Sequence, residues 1–173
     1  MKKIDFDQLV SEYKNKIFNT CLGFVKNQED AEDLAQEVFI EVYKKLDTFR
    51  GASKIGTWLY RIAVNKSLEF IRKGKAEKRK AEMHCSGKGS ELVSDRFYHP
   101  GLSLENKERG AILFEAIDSL SEHQKVAFTL QKVEGLTQSE VAQVMERSEG
   151  SVESLLHRAK ENLRMKLKEY YGK

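Results

Sequence analysis

Residues 137–168 read TQSEVAQVMERSEGSVESLLHRAKENLRMKLK. Two helix starts are written into this stretch. Thr137 followed three residues later by Glu140 has the form of a capping box, in which hydroxyl and carboxylate satisfy free backbone N–H groups at the helix start. Val141, Ala142, Val144 and Met145 give the short helix behind it an apolar face. Ser148 offers a second cap. Val152, Leu155, Leu156, Ala159, Leu163 and Leu167 then recur at the three- and four-residue spacing of a longer helix over 149–168. About three residues join the two helices, which predicts a helix-turn-helix. Ala142 is small enough to let the helices cross closely, and Val152 anchors the second against the first.

The rest of the chain reads as helix too. Over 5–26, Phe6, Leu9, Val10, Tyr13, Ile17, Phe18, Cys21, Leu22 and Val25 form one stripe, and Asn27 offers a stop. Over 29–47, Ala31, Leu34, Ala35, Val38, Phe39, Val42, Tyr43 and Leu46 share a face, while Asp33, Gln36, Glu37, Ile40 and Glu41 lie around the other side. Thr48–Gly56 reads as a loop. Residues 57–73 return to helix, with Trp58, Leu59, Ile62, Ala63, Leu68 and Ile71 available for burial. Periodicity is lost over 74–103, where Gly74, Gly87, Gly89, Pro100 and Gly101 interrupt a polar stretch. That segment is long for an internal loop and reads as a linker between two domains, 1–73 and 104–173. Beyond it come a stripe of Ile112, Leu113, Ala116, Ile117 and Leu120, then a helix opened by Ser121 with Gln124. This helix carries Val126, Ala127, Leu130 and Val133 and closes at Gly135. No internal repeat and no sustained strand-like alternation is visible. The expected fold is all-α: two small helical domains on a flexible linker.

Composition narrows the function. Of 173 residues, 33% are charged and 40% hydrophobic, with one proline and eleven glycines. These values suit a globular, helix-rich protein. No apolar run approaches the roughly 20 residues needed to span a bilayer, and the N-terminus lacks a signal-peptide pattern. The two cysteines, Cys21 and Cys85, match no metal spacing and fit a reduced, cytoplasmic setting. The His84-Cys85 pair is too small a ligand set for a metal. No phosphate-cradling glycine loop, nucleophile elbow or Glu-x-x-His pattern appears, so neither an enzyme nor a cofactor is expected.

Charge is unevenly spread. From Lys54 to Lys80 nine Lys/Arg face two acids, an excess that attracts phosphates. From Glu29 to Glu41 six acids face no base. Either run could equally be a solvated helix face. A helix held as 149–168 is held can enter the major groove with its N-terminal turns on base edges. Ser148, Glu149, Gly150, Ser151, Glu153, Ser154 and His157 would then face DNA, and Arg158 and Lys160 would reach phosphates. The free N–H groups of 149–151 can bind a phosphate oxygen. Plain packing inside an all-helical domain is the competing account.

Three stretches carry a family resemblance. LSEHQKVAFTLQKVEGLTQSEVAQVMERSEGSVESLLHRAKENLRMKL (120–167) resembles the −35-reading domain of the bacterial extracytoplasmic-function (ECF) sigma factors. DAEDLAQEVFIEVYKKLDTF (30–49) is similar to their polymerase-binding helix, and IGTWLYRIAVNKSLEFIRK (55–73) to their −10-binding helix. The three stand in family order around an unmatched linker. The resemblance implies core RNA polymerase, promoter DNA and an anti-sigma factor as partners. It implies that Asp33, Gln36, Glu37, Ile40 and Glu41 contact a coiled coil of the polymerase. It places the −10 pocket at Phe49, Ser53, Lys54, Tyr60, Arg61, Asn65 and Lys66, where bases of an opened strand are read as flipped, stacked objects. Core packing is the other account of Phe49, Tyr60 and Trp58.

Two departures from the wider family stand out. Trp58-Leu59 replaces the adjacent aromatic pair of housekeeping sigma factors, implying weaker strand opening. Glu153 and Leu155 stand where many relatives carry basic residues; Glu153 could accept from a cytosine amino group. For the linker, the resemblance implies a path near the polymerase active centre, and a plain tether remains the alternative. A dimeric helix-turn-helix regulator that never meets polymerase is the rival function.

Overall fold

A computed structural model describes residues 4–25, 27–84 and 104–171. Among them are seven α-helices and no strand: α1 Phe6–Val25, α2 Gln28–Lys45, α3 Ile55–His84, α4 Leu104–Asp118, α5 Glu122–Phe128, α6 Gln138–Met145 and α7 Glu149–Tyr171. The all-α expectation holds. Cys85 and residues 86–103, most of the expected linker, lie outside the described residues.

Local chemistry explains the boundaries. α1 ends just before Asn27, where a stop was expected, and Asn27 also caps the second helix. Its side chain accepts from the N–H groups of Glu29 at 2.8 Å and Asp30 at 3.4 Å. Glu29 and Asp30 occupy the first turn of α2, and Lys44 and Lys45 the last, each matched to the helix dipole. A short 3-10 turn, Leu46–Thr48, follows. The expected loop is therefore shorter, because α3 begins at Ile55.

α3 also runs past residue 73, where a domain boundary was expected, as far as His84. A single Gly74 costs only about 1 kcal/mol against alanine in a helix. The residues after it, Lys75–Lys80, are nearly all strong helix formers. Loss of apolar periodicity there marks an exposed helix rather than an end.

α1, α2 and α3 bury Leu9, Ile17, Cys21, Phe24, Leu34, Val38, Val42, Leu59 and Ala63 between them. Three residues expected on buried stripes are exposed instead: Tyr43, Leu113 and Val133. Tyr43 lies edge-on to Phe6 at 5.1 Å. Val133 ends a π-helical turn, Thr129–Val133, that continues α5. Gly135 closes this segment with φ 71°, the left-handed conformation anticipated for it, and Leu136 N donates to Leu130 O at 3.1 Å. α4 packs on the second half of α7 through Ala116, Ile117, Leu120, Ala159 and Leu163.

The C-terminal body, α4–α7, does not stand apart from α1–α3. Val126, Ala127, Leu130, Val141, Ala142, Val144, Val152 and Leu156 belong to the same apolar cluster as Ile17, Leu59, Ala63 and Val64. The capping chemistry at Thr137 helps hold this body. Thr137→Ala is expected to lower stability by about 1 kcal/mol. A urea midpoint that does not fall would show the cap to be unimportant.

Candidate nucleic-acid interface

α6 and α7 form the expected helix-turn-helix. The Thr137 Oγ1 accepts from Glu140 N at 3.2 Å, and Glu140 Oε2 accepts from Thr137 N at 3.0 Å. Three residues, Glu146–Ser148, make the turn. Glu146 adopts φ 53°, ψ 46°, a left-handed conformation uncommon outside glycine. It is compensated by backbone closure: Arg147 N donates to Ala142 O at 3.0 Å. Ser148 Oγ accepts from Ser151 N at 3.2 Å, and Gln138 Nε2 reaches Glu149 O at 3.0 Å. Val152 is fully buried and Ala142 nearly so, as close crossing requires.

This leaves one side of α7 open. Ser148, Glu149, Gly150, Glu153, Ser154, His157, Arg158 and Lys160 are exposed, and Ser151 is half-buried. Glu153, Ser154, His157, Arg158 and Lys160 line a shallow depression of about 580 Å³. His157 Nε2 lies 3.6 Å from Glu161 Oε1. The arrangement combines hydrogen-bonding groups near the helix start with cations a turn or more later. Such a surface suits base edges followed by phosphates.

A second surface lies on α2. Asp33, Gln36, Glu37 and Ile40 are exposed and Glu41 is half-buried. Ile40 is 55% exposed and Tyr43 67%. Together with Phe6, Val10, Phe18 and Phe39 they line a groove of about 760 Å³ between α1 and α2. Exposed apolar side chains with a rim of acids have the anatomy of a protein-binding patch. Glu41 is 2.6 Å from Lys45, whose hydrogen bond and charge hold its carboxyl below the usual range.

The third surface is the start of α3 with the loop before it. Phe49 packs on Trp58 with centroids 5.1 Å apart and rings tilted by 41°. Trp58 is itself half-buried against the core. Ser53 is half-buried, and Lys54 and Asn65 are exposed. Lys66 is half-buried and pairs with Glu37 at 3.2 Å, so residues assigned to two different surfaces meet. Tyr60 departs from the expectation of a base-contacting ring. It is only 6% exposed, and its hydroxyl donates to Glu134 Oε2 at 3.2 Å. Burial first, then the Glu134 charge, push the Tyr60 hydroxyl well above its usual range, so it stays a donor. Burial likewise raises the Glu134 carboxyl, opposed by hydrogen bonds from Thr20 and Tyr60.

Other residues of this surface also meet the C-terminal body. Lys54 Nζ lies 3.0 Å from Glu140 Oε1. Arg61 Nη1 lies 2.8 Å from Glu146 Oε1, and its Nη2 donates to Gln143 O at 2.7 Å. Arg72 pairs with Glu122. Lys125 is buried where the bodies join; its Nζ donates to Phe24 O at 3.3 Å and to Asp118 Oδ1 at 2.7 Å. Burial, then the charge of Lys75, pull its ammonium down to about 8. Sequence reasoning missed Glu122, Lys125, Glu134, Gln143 and Glu146 as partners. Separations of 50 to 101 residues leave no periodic signal that could reveal such pairs.

Two sequence families match, in order. Sigma-70 region 2 covers residues 9–77, and Sigma-70 region 4 covers 111–163. The chain is 34% identical to the RNA polymerase sigma-H factor of Pseudomonas aeruginosa over 90% of its own length and 82% of the relative's. It is 33% identical to the ECF RNA polymerase sigma-E factor of Haemophilus influenzae, over 94% and 87%. It is 34% identical to that of Escherichia coli K12, over 90% and 83%. Among solved structures, the fold matches the sigma factor RpoE in complex with the anti-sigma factor NepR from Bartonella quintana. There the TM-score is 0.71 at 22% identity, over 95% of this chain and 97% of the other. It also matches CnrH in complex with the cytosolic domain of CnrY, at TM-score 0.68 and 23% identity, over 94% and 86%. With both region families matched in order around α1–α3 and α4–α7, and relatives a third identical along nearly its whole length, this chain belongs to the sigma-70 family as an ECF sigma factor.

Proposed function

We propose that this chain directs promoter-specific transcription initiation through three separate faces and performs no catalysis itself. Sigma factors act with RNA polymerase at promoters, and the chain does so as one of them. The finer division of labour is our reading. The α2 face of Asp33, Gln36, Glu37, Ile40 and Glu41 takes core polymerase. Phe49, Ser53, Lys54, Arg61, Asn65 and Lys66 take the opened −10 strand, with Tyr60 supporting them from the core. Ser148, Glu149, Gly150, Ser151, Glu153, Ser154, His157, Arg158 and Lys160 read the −35 element. A region 2 body precedes the linker and a region 4 body follows it. An anti-sigma factor is a further expected partner, since both solved neighbours hold a protein partner.

The observation that carries the reading is the open face of α7: a capped, 23-residue helix presents polar side chains along the side opposite its buried Val152 and Leu156. No described helix is long and apolar enough to cross a membrane, which suits work in the cytoplasm beside polymerase and DNA.

In vitro transcription with and without the chain tests the proposal. Core polymerase should yield promoter-dependent transcripts only when the chain is present. A dimeric regulator would instead bind duplex operator tightly alone in a gel shift, and that result would overturn the reading. Within the −10 face, Asn65→Ala is expected to cut transcription about tenfold, as loss of a base contact worth about 1.4 kcal/mol would. Core binding should be unchanged. Equal loss of both would remove Asn65 from the DNA.

A further inference from the structure

The open face of α7 is bare at its start and acidic one turn later. A Cβ on Gly150 would meet nothing within 4 Å, and Gly150 and Ser154 are both exposed. The slim backbone there lets the floor of a groove come close. The long polar side chains of the first two turns are Glu149 and Glu153. Glu153 is the one that lines the depression shared with Gln131 and Gln138. It is exposed and has no hydrogen bond or ion pair among the described residues. Its neighbours are already committed: Ser154 Oγ donates to Gly150 O at 3.0 Å, and Gln138 Nε2 donates to Glu149 O at 3.0 Å. The cations of this face, Arg158 and Lys160, come a turn or more later.

An ionised carboxylate accepts hydrogen bonds and donates none. In the major groove guanine shows N7 and O6 and thymine shows O4, all acceptors. Cytosine N4 and adenine N6 donate, but adenine sets its N7 acceptor beside that donor. A carboxylate pressed against guanine or thymine therefore loses water and finds only lone pairs, and a charge desolvated without a partner is costly. Against cytosine it gains a charge-assisted hydrogen bond. We infer that Glu153 is a specificity-determining residue of the −35 face: it selects cytosine at one position of the element through the N4 amino group and rejects guanine there. This rests on the −35 assignment of α7. The helix then divides its work along its length. Glu153 chooses sequence at the cost of repelling phosphates, and Arg158 and Lys160 supply the phosphate attraction that carries no sequence information.

The test uses holoenzyme, core RNA polymerase with the full chain, on a promoter library in which every base pair of the −35 element is varied. Templates that initiate are sequenced. The wild-type chain should favour one orientation of a G·C pair at one position, about tenfold or more over the reverse orientation, as one good base contact supplies. Glu153→Arg should reverse that orientation, because a guanidinium matches guanine N7 and O6. Glu153→Gln should replace the pair with A·T, because an amide matches adenine N6 and N7. Preferences at the other positions should stay within roughly twofold. The inference is overturned if the position that responds favours A·T in the wild type. It is also overturned if both variants keep every wild-type preference within roughly twofold, including the case in which all sequences gain alike because a charge that repelled phosphate has gone. If the wild type initiates with no preference anywhere in the −35 element, and Arg158→Ala with Lys160→Ala initiates as well as wild type, α7 does not meet the DNA. The −35 assignment then fails, and the inference with it.

Discussion

Ile40→Asp is expected to weaken binding to core RNA polymerase by about thirtyfold and to reduce promoter-dependent transcription in step. Ile40 is 55% exposed on α2, beside Tyr43 and above an apolar groove, with Asp33, Gln36 and Glu37 around it. An apolar side chain ringed by polar ones is the arrangement in which a few residues carry most of the binding energy, typically 2 kcal/mol or more each. Aspartate there forfeits the apolar contact and buries a charge among acids. The folded chain should hardly notice, because the side chain is not part of the core. Titrating core enzyme with labelled chain measures the effect. A change under threefold, with circular dichroism and melting unchanged, would take α2 out of the polymerase interface.

The second large effect concerns the scaffold. Ile17 on α1 is fully buried in the core that unites the three N-terminal helices with the C-terminal body. Ile17→Ala leaves a cavity and should cost about 3 kcal/mol, within the usual span for such truncations. Small proteins hold only about 5–15 kcal/mol in all, so the folded population falls more than a hundredfold relative to the unfolded. Urea denaturation followed by far-UV circular dichroism reads this as a lowered midpoint at constant slope. A loss below 1 kcal/mol would mean the site collapses around the missing atoms and Ile17 is not a keystone of the core. Because the cluster is continuous across the bodies, one transition rather than two is expected in the wild-type chain.

The elements most legible in the sequence are those made by neighbours along the chain. Thr137 with Glu140, Ser148 before α7, Gly135 in the left-handed region, and Ala142 facing Val152 all depend on residues within a dozen positions, and each sits as read. The face of α2 follows from the same 3.6-residue arithmetic. The arithmetic fails where context overrides it. Tyr43 has the spacing of a core residue, but it meets the first residue of α1, Phe6, edge-on and stays exposed. α3 continues beyond residue 73 because helix formation needs good helix formers, not an apolar stripe.

Sequence by itself determined the helices, their caps, the turn before α7 and the family, because each is encoded in short-range spacing and in residues kept in order. Tertiary structure alone decided what the α3 face touches. Tyr60 turned inward to Glu134, and Lys54 and Arg61 met Glu140 and Glu146. Pairs more than seventy residues apart arise only when two apolar surfaces find each other, and a one-dimensional pattern records each surface but not its partner.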